Sequence, residues 1–439
     1  MRVSLPYSKN RRYLTGIDWT IGALDAMTRR ATGGSNTFQI VLEIKGPLEP
    51  ARFQEVIAAF VRQFPVLGGR PSRDWTLAPY WKMPRPGSRV PVSVEFTQVE
   101  GQDSAALLEE SANRCLPDRQ SHVAFRVFHV NVSHHFIAVQ FDHRLFDATG
   151  AETFLGLLHR WAIGEDCSAQ IRQISLKEPA HLCDWMKKFE AGKLLVRLLR
   201  KFAESPLAVL PRPAALKGRR TRFSIMEFSA EETKAISMRA SQEAGFLMFM
   251  PYTLAVSLEA LAPAFARRGT GGGDYLVSVS VDLRPPEAAP ACMFFNHVSF
   301  IFFQIPAAIL PDRKALLKAL RLQMYEQIQC GFPKALYESS MVMRILPLSV
   351  LSRLMLKPLR GEFASLGFTC VGKSGYAFDR FMGAELVNLI HMPLVPVPPG
   401  IGFFISQSGP KMNAVLSFVE GMLTDEEARR FQDDVRRLL

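Results

Sequence analysis

No two of the six cysteines in this 439-residue chain stand at the spacing of a zinc or dithiol site. They fall at 115, 167, 183, 292, 330 and 370, with no Cys-x-x-Cys pair, so no metal is expected. Long apolar runs are missing as well. The opening residues, MRVSLPYSKNRRYLTG, carry no apolar stretch behind their basic ones, which is not the pattern of a secretory signal. No stretch of about 18 uncharged apolar residues offers a membrane span. These absences predict a cytoplasmic protein with free thiols.

Acidic residues are scarce in one place only. Residues 187–222 hold eleven Lys or Arg against two acids, Glu190 and Glu204, and so carry most of the net charge of +12. The remainder is nearly balanced, which argues against general nucleic-acid binding and for one local basic surface. At 48% apolar residues the chain can bury large cores, and its length suggests two parts of about 200 residues.

Hydrophobic period marks the elements. Residues 37–44 alternate as a strand. Pro50 opens a helix with Phe53, Val56, Phe60 and Phe64 on one face, and Pro65 closes it. Residues 134–142, HHFIAVQFD, are apolar on both faces, as in a buried strand. Thr149 and Glu152 have capping-box spacing ahead of Phe154, Leu157, Leu158 and Trp161, which leaves 143–148 as a tight strand-to-helix loop. A basic amphipathic helix and a Pro-rich stretch fill 185–222. Helices follow at 231–244 and 249–267, then strands over 275–281 and 298–305. Strands at 402–406 and 414–419 flank a Ser408-Gly409 turn. A second capping box, Thr424 with Glu427, opens a last helix bearing Phe431, Val435 and Leu438. The pattern is mixed α/β in two similar parts: 1–184, a basic crossover at 185–222, and 223–439.

The loop DHRLFDATG, Asp142 to Gly150, is the most informative segment. A buried strand fixes its backbone and aims His143, whose imidazole can take a proton near neutral pH; a carboxylate, Asp147, follows four residues on. His134-His135 has no such Asp and reads as structural. Cys370 has no His–acid arrangement around it and reads as a buried thiol. The methionines of MVMRILPLSVLSRLMLKPL read as core packing or as a flexible wall for an apolar ligand.

That loop resembles the HHxxxDG motif of condensation domains, chloramphenicol acetyltransferases, plant BAHD acyltransferases and bacterial wax ester synthases. Further segments resemble the same superfamily in the same order. They are LTGIDW (Leu14 to Trp19), GPLEPARFQEVIAAFVRQFPVLGGR, VSVDLRPP (Val279 to Pro286), MFFNHVSF, SLGFTCVGKSG and the closing strand and helix. The resemblance implies two chloramphenicol-acetyltransferase-like α/β lobes with mixed sheets and an active-site tunnel between them. It implies His143 as general base, Asp147 as a structural acid, Arg284 as its partner, and Asn296 near the tunnel wall. Asp142 replaces the first His, Ala148 the Gly after the Asp, and Cys292 the Gly before the Phe-Val-Asn segment. Asp142 and Ala148 are also tunnel candidates, and Thr369 and Ser406 are tunnel or oxyanion candidates.

The implied reaction is acyl transfer from acyl-CoA or a phosphopantetheinyl acyl carrier protein to a hydroxyl of an apolar acceptor. No bound cofactor is needed, and the protein is expected to be a monomer. An amide-forming condensation enzyme and a non-catalytic carrier- or lipid-binding relative are the alternatives. Arg219, Arg220 and Arg222 are candidates for a donor-capturing or membrane surface. Leu194, Leu195, Leu198, Leu199 and Phe202, beside Lys and Arg, suit docking on an anionic membrane.

Overall fold

Among the described residues, runs of Val, Ile and Phe build two six-stranded sheets and one small three-stranded sheet. The structure is a computed structural model describing residues 11–85, 87–99, 103–116, 121–174, 185–285, 291–373 and 379–439. The first ten residues, Cys183, Pro286 and the Ser374-Gly375 end of the segment 365–375 lie outside the described residues.

The first sheet has the order Arg380–Phe381, Ala384–Pro393, Thr37–Lys45, His134–Asp142, Val123–Asn131, Ser93–Gln98. All its pairs are antiparallel except the last. The second has the order Val298–Pro306, Asp274–Asp282, Leu366–Lys373, Ile401–Ser408, Lys411–Val419, Thr221–Phe228. Its Leu366–Lys373 strand runs parallel to both neighbours. Both sheets are mixed.

The two sheets are not divided by the middle of the sequence. Ala384–Pro393, from the second half, pairs along the length of Thr37–Lys45, from Glu385↔Lys45 to Pro393↔Phe38. Helices Phe332–Met343 and Leu348–Leu356 pack on the first long helix, Gly16–Ala31. Met293, Phe294 and Phe295 are at most 1% exposed and belong to the first sheet's core, against Phe64, Phe146 and Trp81. Each buried Phe contributes roughly 1.5–3 kcal/mol to holding the halves together.

Several local expectations change. The helix Pro50–Val61 buries Phe53, Ile57 and Phe60, and ends before Pro65, which begins a short 3-10 turn. The helix after the HxxxD loop spans Ala148–Ala162 and is capped by Asp147, whose carboxylate accepts from the Gly150 N–H; the expected Thr149–Glu152 box is absent. Asp147 stands two residues earlier and is an equally good capping residue. The Thr424–Glu427 box is present. Helix Phe249–Arg267 is by length and composition apolar enough to cross a membrane, although Glu259 interrupts its apolar run. It lies mostly buried in the second core, with Tyr252, Leu254, Leu258 and Phe265 at 0% exposure.

The basic helix, Trp185–Phe202, packs on Phe332–Met343. Leu194, Leu195, Leu198, Leu199 and Phe202 face Phe302, Phe332 and Leu359. The leucines expected to meet a membrane therefore cover the helix's own lobe, and its outer face carries Val196 among Lys193, Arg197 and Arg200.

Candidate active site

His143 follows directly on the His134–Asp142 strand, whose Asp142 pairs with Thr37 at the end of the first sheet. Its ring meets Phe38 edge-on at 5.2 Å and lines a cavity of about 470 Å³. Nδ1 is buried and without a hydrogen-bond partner, so Nε2 is the nitrogen that can serve the cavity. Among the described residues no carboxylate bonds this ring. The loop beneath the ring orients it.

Asp147 lines the same cavity, but its hydrogen bonds go elsewhere than to the ring. One of its oxygens accepts from Arg284 at 2.6 Å and from the Gly150 N–H at 2.9 Å; the other accepts from the His297 N–H at 2.9 Å. Burial by itself would raise the Asp147 pKa. Arg284 and the His297 amide outweigh it and hold the carboxyl below its ordinary range. Arg284 also donates to both Asp282 oxygens at 3.1 Å and to the Cys292 carbonyl at 3.1 Å. The residue that replaces a glycine thus serves through its backbone, and burial raises its thiol pKa.

Asn296 does not line the cavity. It is 2% exposed and its Nδ2 donates to the His143 carbonyl at 2.9 Å. Its own N–H donates to Asp18 at 3.0 Å, and Asp18 also binds Arg12 and caps Gly16–Ala31 through the Thr15 N–H. The Phe295 N–H donates to the Leu145 carbonyl at 2.6 Å, and Phe146 and Phe295 form a bridge. The loop is therefore clamped from both halves of the chain. Asp18 was visible in LTGIDW, but its partner lies 278 residues away.

Asp142 is likewise not a cavity residue. Its carboxylate meets His122 Nδ1 at 2.7 Å and accepts from Arg144 at 2.6 Å, while His122 Nε2 meets the Gly69 carbonyl at 2.8 Å. Burial works to raise its pKa, but Arg144 and His122 reverse the sign and keep it ionised. The position of the motif's first His belongs to this buried cluster.

Ala148 is the first residue of its helix, has no positive φ and lines the cavity, so the missing glycine costs the backbone nothing. The glycine that the loop does need is Gly150, where a Cβ would lie 2.3 Å from the Met293 carbonyl oxygen. Thr149 donates to Asp282 at 3.1 Å.

The second sheet forms the opposite wall. Thr369 and Ser406 both line it, from strands Leu366–Lys373 and Ile401–Ser408. Ser278 and Ser280 join them, with Ser280 Oγ 3.3 Å from Thr369 Oγ1. The sequence carried a signal for these serines: in YLVSVSVD the valines take the core face and leave the serines to the other. Cys370 also lines the cavity, but burial pushes its thiol up to about 12, against a lowering contribution from Thr253, so it is no nucleophile near neutral pH. Two further polar residues, Glu152 and His391, line the first wall. The sequence marked Glu152 only as a capping residue and did not mark His391.

Arg219, Arg220 and Arg222 are not on the cavity wall. Arg222 pairs with Glu109 at 2.9 Å, Arg219 donates to the Ala215 carbonyl, and the Arg220 carbonyl accepts from the Glu420 N–H. Among the described residues no cluster of metal-ligating side chains occurs.

No family model matches the sequence, and no curated protein matches it. Solved structures do match the fold. TRI3 trichothecene 15-O-acetyltransferase from Fusarium sporotrichioides aligns with a TM-score of 0.69 at 14% identity, over 98% of this chain and 94% of that one. The first condensation domain of the calcium-dependent antibiotic synthetase, in complex with a substrate analogue, aligns at 0.66 and 16% identity, over 98% and 96%. A mutant starter condensation domain of rhizomide synthetase in complex with C8-CoA aligns at 0.63 and 12% identity, over 98% and 95%. Over nearly its whole length the chain has the two-lobed fold shared by condensation domains and acetyltransferases of this kind.

Proposed function

We propose that the protein transfers an acyl group from a thioester to a hydroxyl of a largely apolar acceptor, with His143 as general base. The observation that carries this reading is one imidazole, unpaired on both nitrogens among the described residues, aimed into an inter-sheet cavity from a loop locked on both sides.

The acceptor O–H gives its proton to Nε2 as the oxygen attacks the thioester carbonyl. The tetrahedral adduct collapses, the C–S bond breaks, and the imidazolium returns the proton to the departing thiolate. Hydroxyls of Thr369, Ser406 and Ser280 stand on the facing wall, where they can donate to a developing oxyanion. Two substrates held in one mainly apolar cavity gain much of their rate from orientation.

A CoA thioester is the donor favoured here, in keeping with the C8-CoA complex of a structural neighbour. The test is thiol release from acyl-CoA with a panel of long-chain alcohols and amines. His143→Ala should lower the rate by about a hundred- to ten-thousand-fold while the protein stays folded and still binds CoA. A rate retained within a few-fold would remove the mechanism. Faster turnover with amines would favour amide formation. A wild-type protein that binds donor and turns over nothing would favour the non-catalytic alternative.

A further inference from the structure

The cavity holds a polar pair that the acyl-transfer step does not use. His391 sits on the strand Ala384–Pro393, opposite Ile40. Glu152 lies one turn beyond Ala148 on the helix that Asp147 caps. His391 Nε2 and Glu152 Oε1 are 2.8 Å apart, the two side chains are 8% and 5% exposed, and both line the same cavity as His143.

Packing does not require this pair. Well-packed apolar residues in place of a buried ion-capable pair are commonly neutral or stabilising. The pair also has unused capacity. With the His391 Nε2–H given to Glu152, His391 Nδ1 and Glu152 Oε2 have no partner among the described residues, and neither atom is sealed off. A lone pair on an imidazole beside a carboxylate oxygen, in a mainly apolar enclosure, accepts an O–H or N–H and cannot be satisfied by an alkyl chain. Both free atoms are acceptors, so the pair suits an O–H or N–H donor rather than the oxygens of a polyphosphate.

We propose that Glu152 and His391 hold a second O–H or N–H of the acceptor, remote from the one acylated at His143. The acceptor is then an amphipathic alcohol or amine with a further hydrogen-bond donor, rather than a simple aliphatic alcohol. Naming this ligand the acceptor rests on the acyl-transfer reading; the binding site does not.

Calorimetry on the His143→Ala protein separates the two. The probes are a long-chain mono-alcohol, diols of the same chain with the second hydroxyl at successive carbons, the matching amino alcohols, and CoA. At least one diol or amino alcohol should bind about ten- to a hundred-fold tighter than the mono-alcohol, the range expected of a hydrogen bond to a charged group. Adding Glu152→Leu with His391→Leu should erase that difference and leave mono-alcohol and CoA affinities within a few-fold. Glu152→Gln, which keeps the shape, should weaken the preference even if the double change impairs folding. No difference across the probes, a difference that survives these changes, or a loss that falls on CoA would each overturn the proposal. If the wild type releases no thiol with any probe while the binding preference stands, the acyl-transfer reading fails and the site remains.

Discussion

Asp147 and Arg284 meet at 2.6 Å with their side chains only 3% and 2% exposed, across 137 residues of sequence. The pair lies under the His143 loop and never touches the ring. It sets the loop's position, so its loss should be read first in stability.

Asp147→Ala removes the partner of a buried guanidinium and the helix cap together. It should destabilise the protein by about 3–5 kcal/mol, measured by urea denaturation, with a matching loss of soluble yield. A change below about 1 kcal/mol would mean that the pair is not formed in solution.

Acid should reach the same pair. The folded pKa of Asp147 lies below its unfolded value of about 3.9. Its contribution is therefore complete above that value and is lost as pH falls through the folded one. The stability gap between wild type and Asp147→Asn should narrow from about pH 6 to about pH 3. A gap that stays constant or widens would contradict the assignment.

Gly150 admits no side chain. Gly150→Ala should cost about 1–3 kcal/mol by pressing on the Met293 carbonyl, whereas Ala148→Gly, at a cavity-lining helix start, should cost less. Melting temperatures of the two variants compare them directly.

Asn296 Nδ2 holds the His143 carbonyl. Asn296→Ala should cost about 1 kcal/mol of stability. If His143 is the base, it should also lower kcat by roughly tenfold to a hundredfold with little change in acceptor KM, since small misplacements of a reacting group are expensive. Asn296→Asp, which loses the donated bond, should not restore kcat. A rise in KM alone would place Asn296 in binding instead.

The site was legible where its signals were local. The apolar strand ending at Asp142 and the stripe from Phe154 onward bracket the HxxxD loop within about twenty residues, and the resemblance supplied Arg284. Local spacing failed where two residues compete for one role. Thr149 and Asp147 both suit a cap, and only the bond to the Gly150 amide decides between them. It also failed where partners are distant. His391 stands in the apolar run VNLIHMPL, and nothing nearby reveals that its strand joins Thr37–Lys45 or that Glu152 comes to meet it. Asp142 looked like a stand-in for a motif histidine because His122, twenty residues upstream, carries no motif of its own.

The borrowed strand also sets a timetable. Thr37–Lys45 has His134–Asp142 on one side and Ala384–Pro393 on the other. A ribosome working at about 5–20 residues per second needs roughly 20–70 s to travel from the first of these strands to the last. For that interval one edge of Thr37–Lys45, with Val41 and Leu42 fully buried in the finished protein, stands open as a template for any passing strand. Recombinant yield should then depend on how fast the long stretch of message between the codons for Lys45 and Pro393 is read, and slowing translation there should lengthen that exposure without altering one residue of the product.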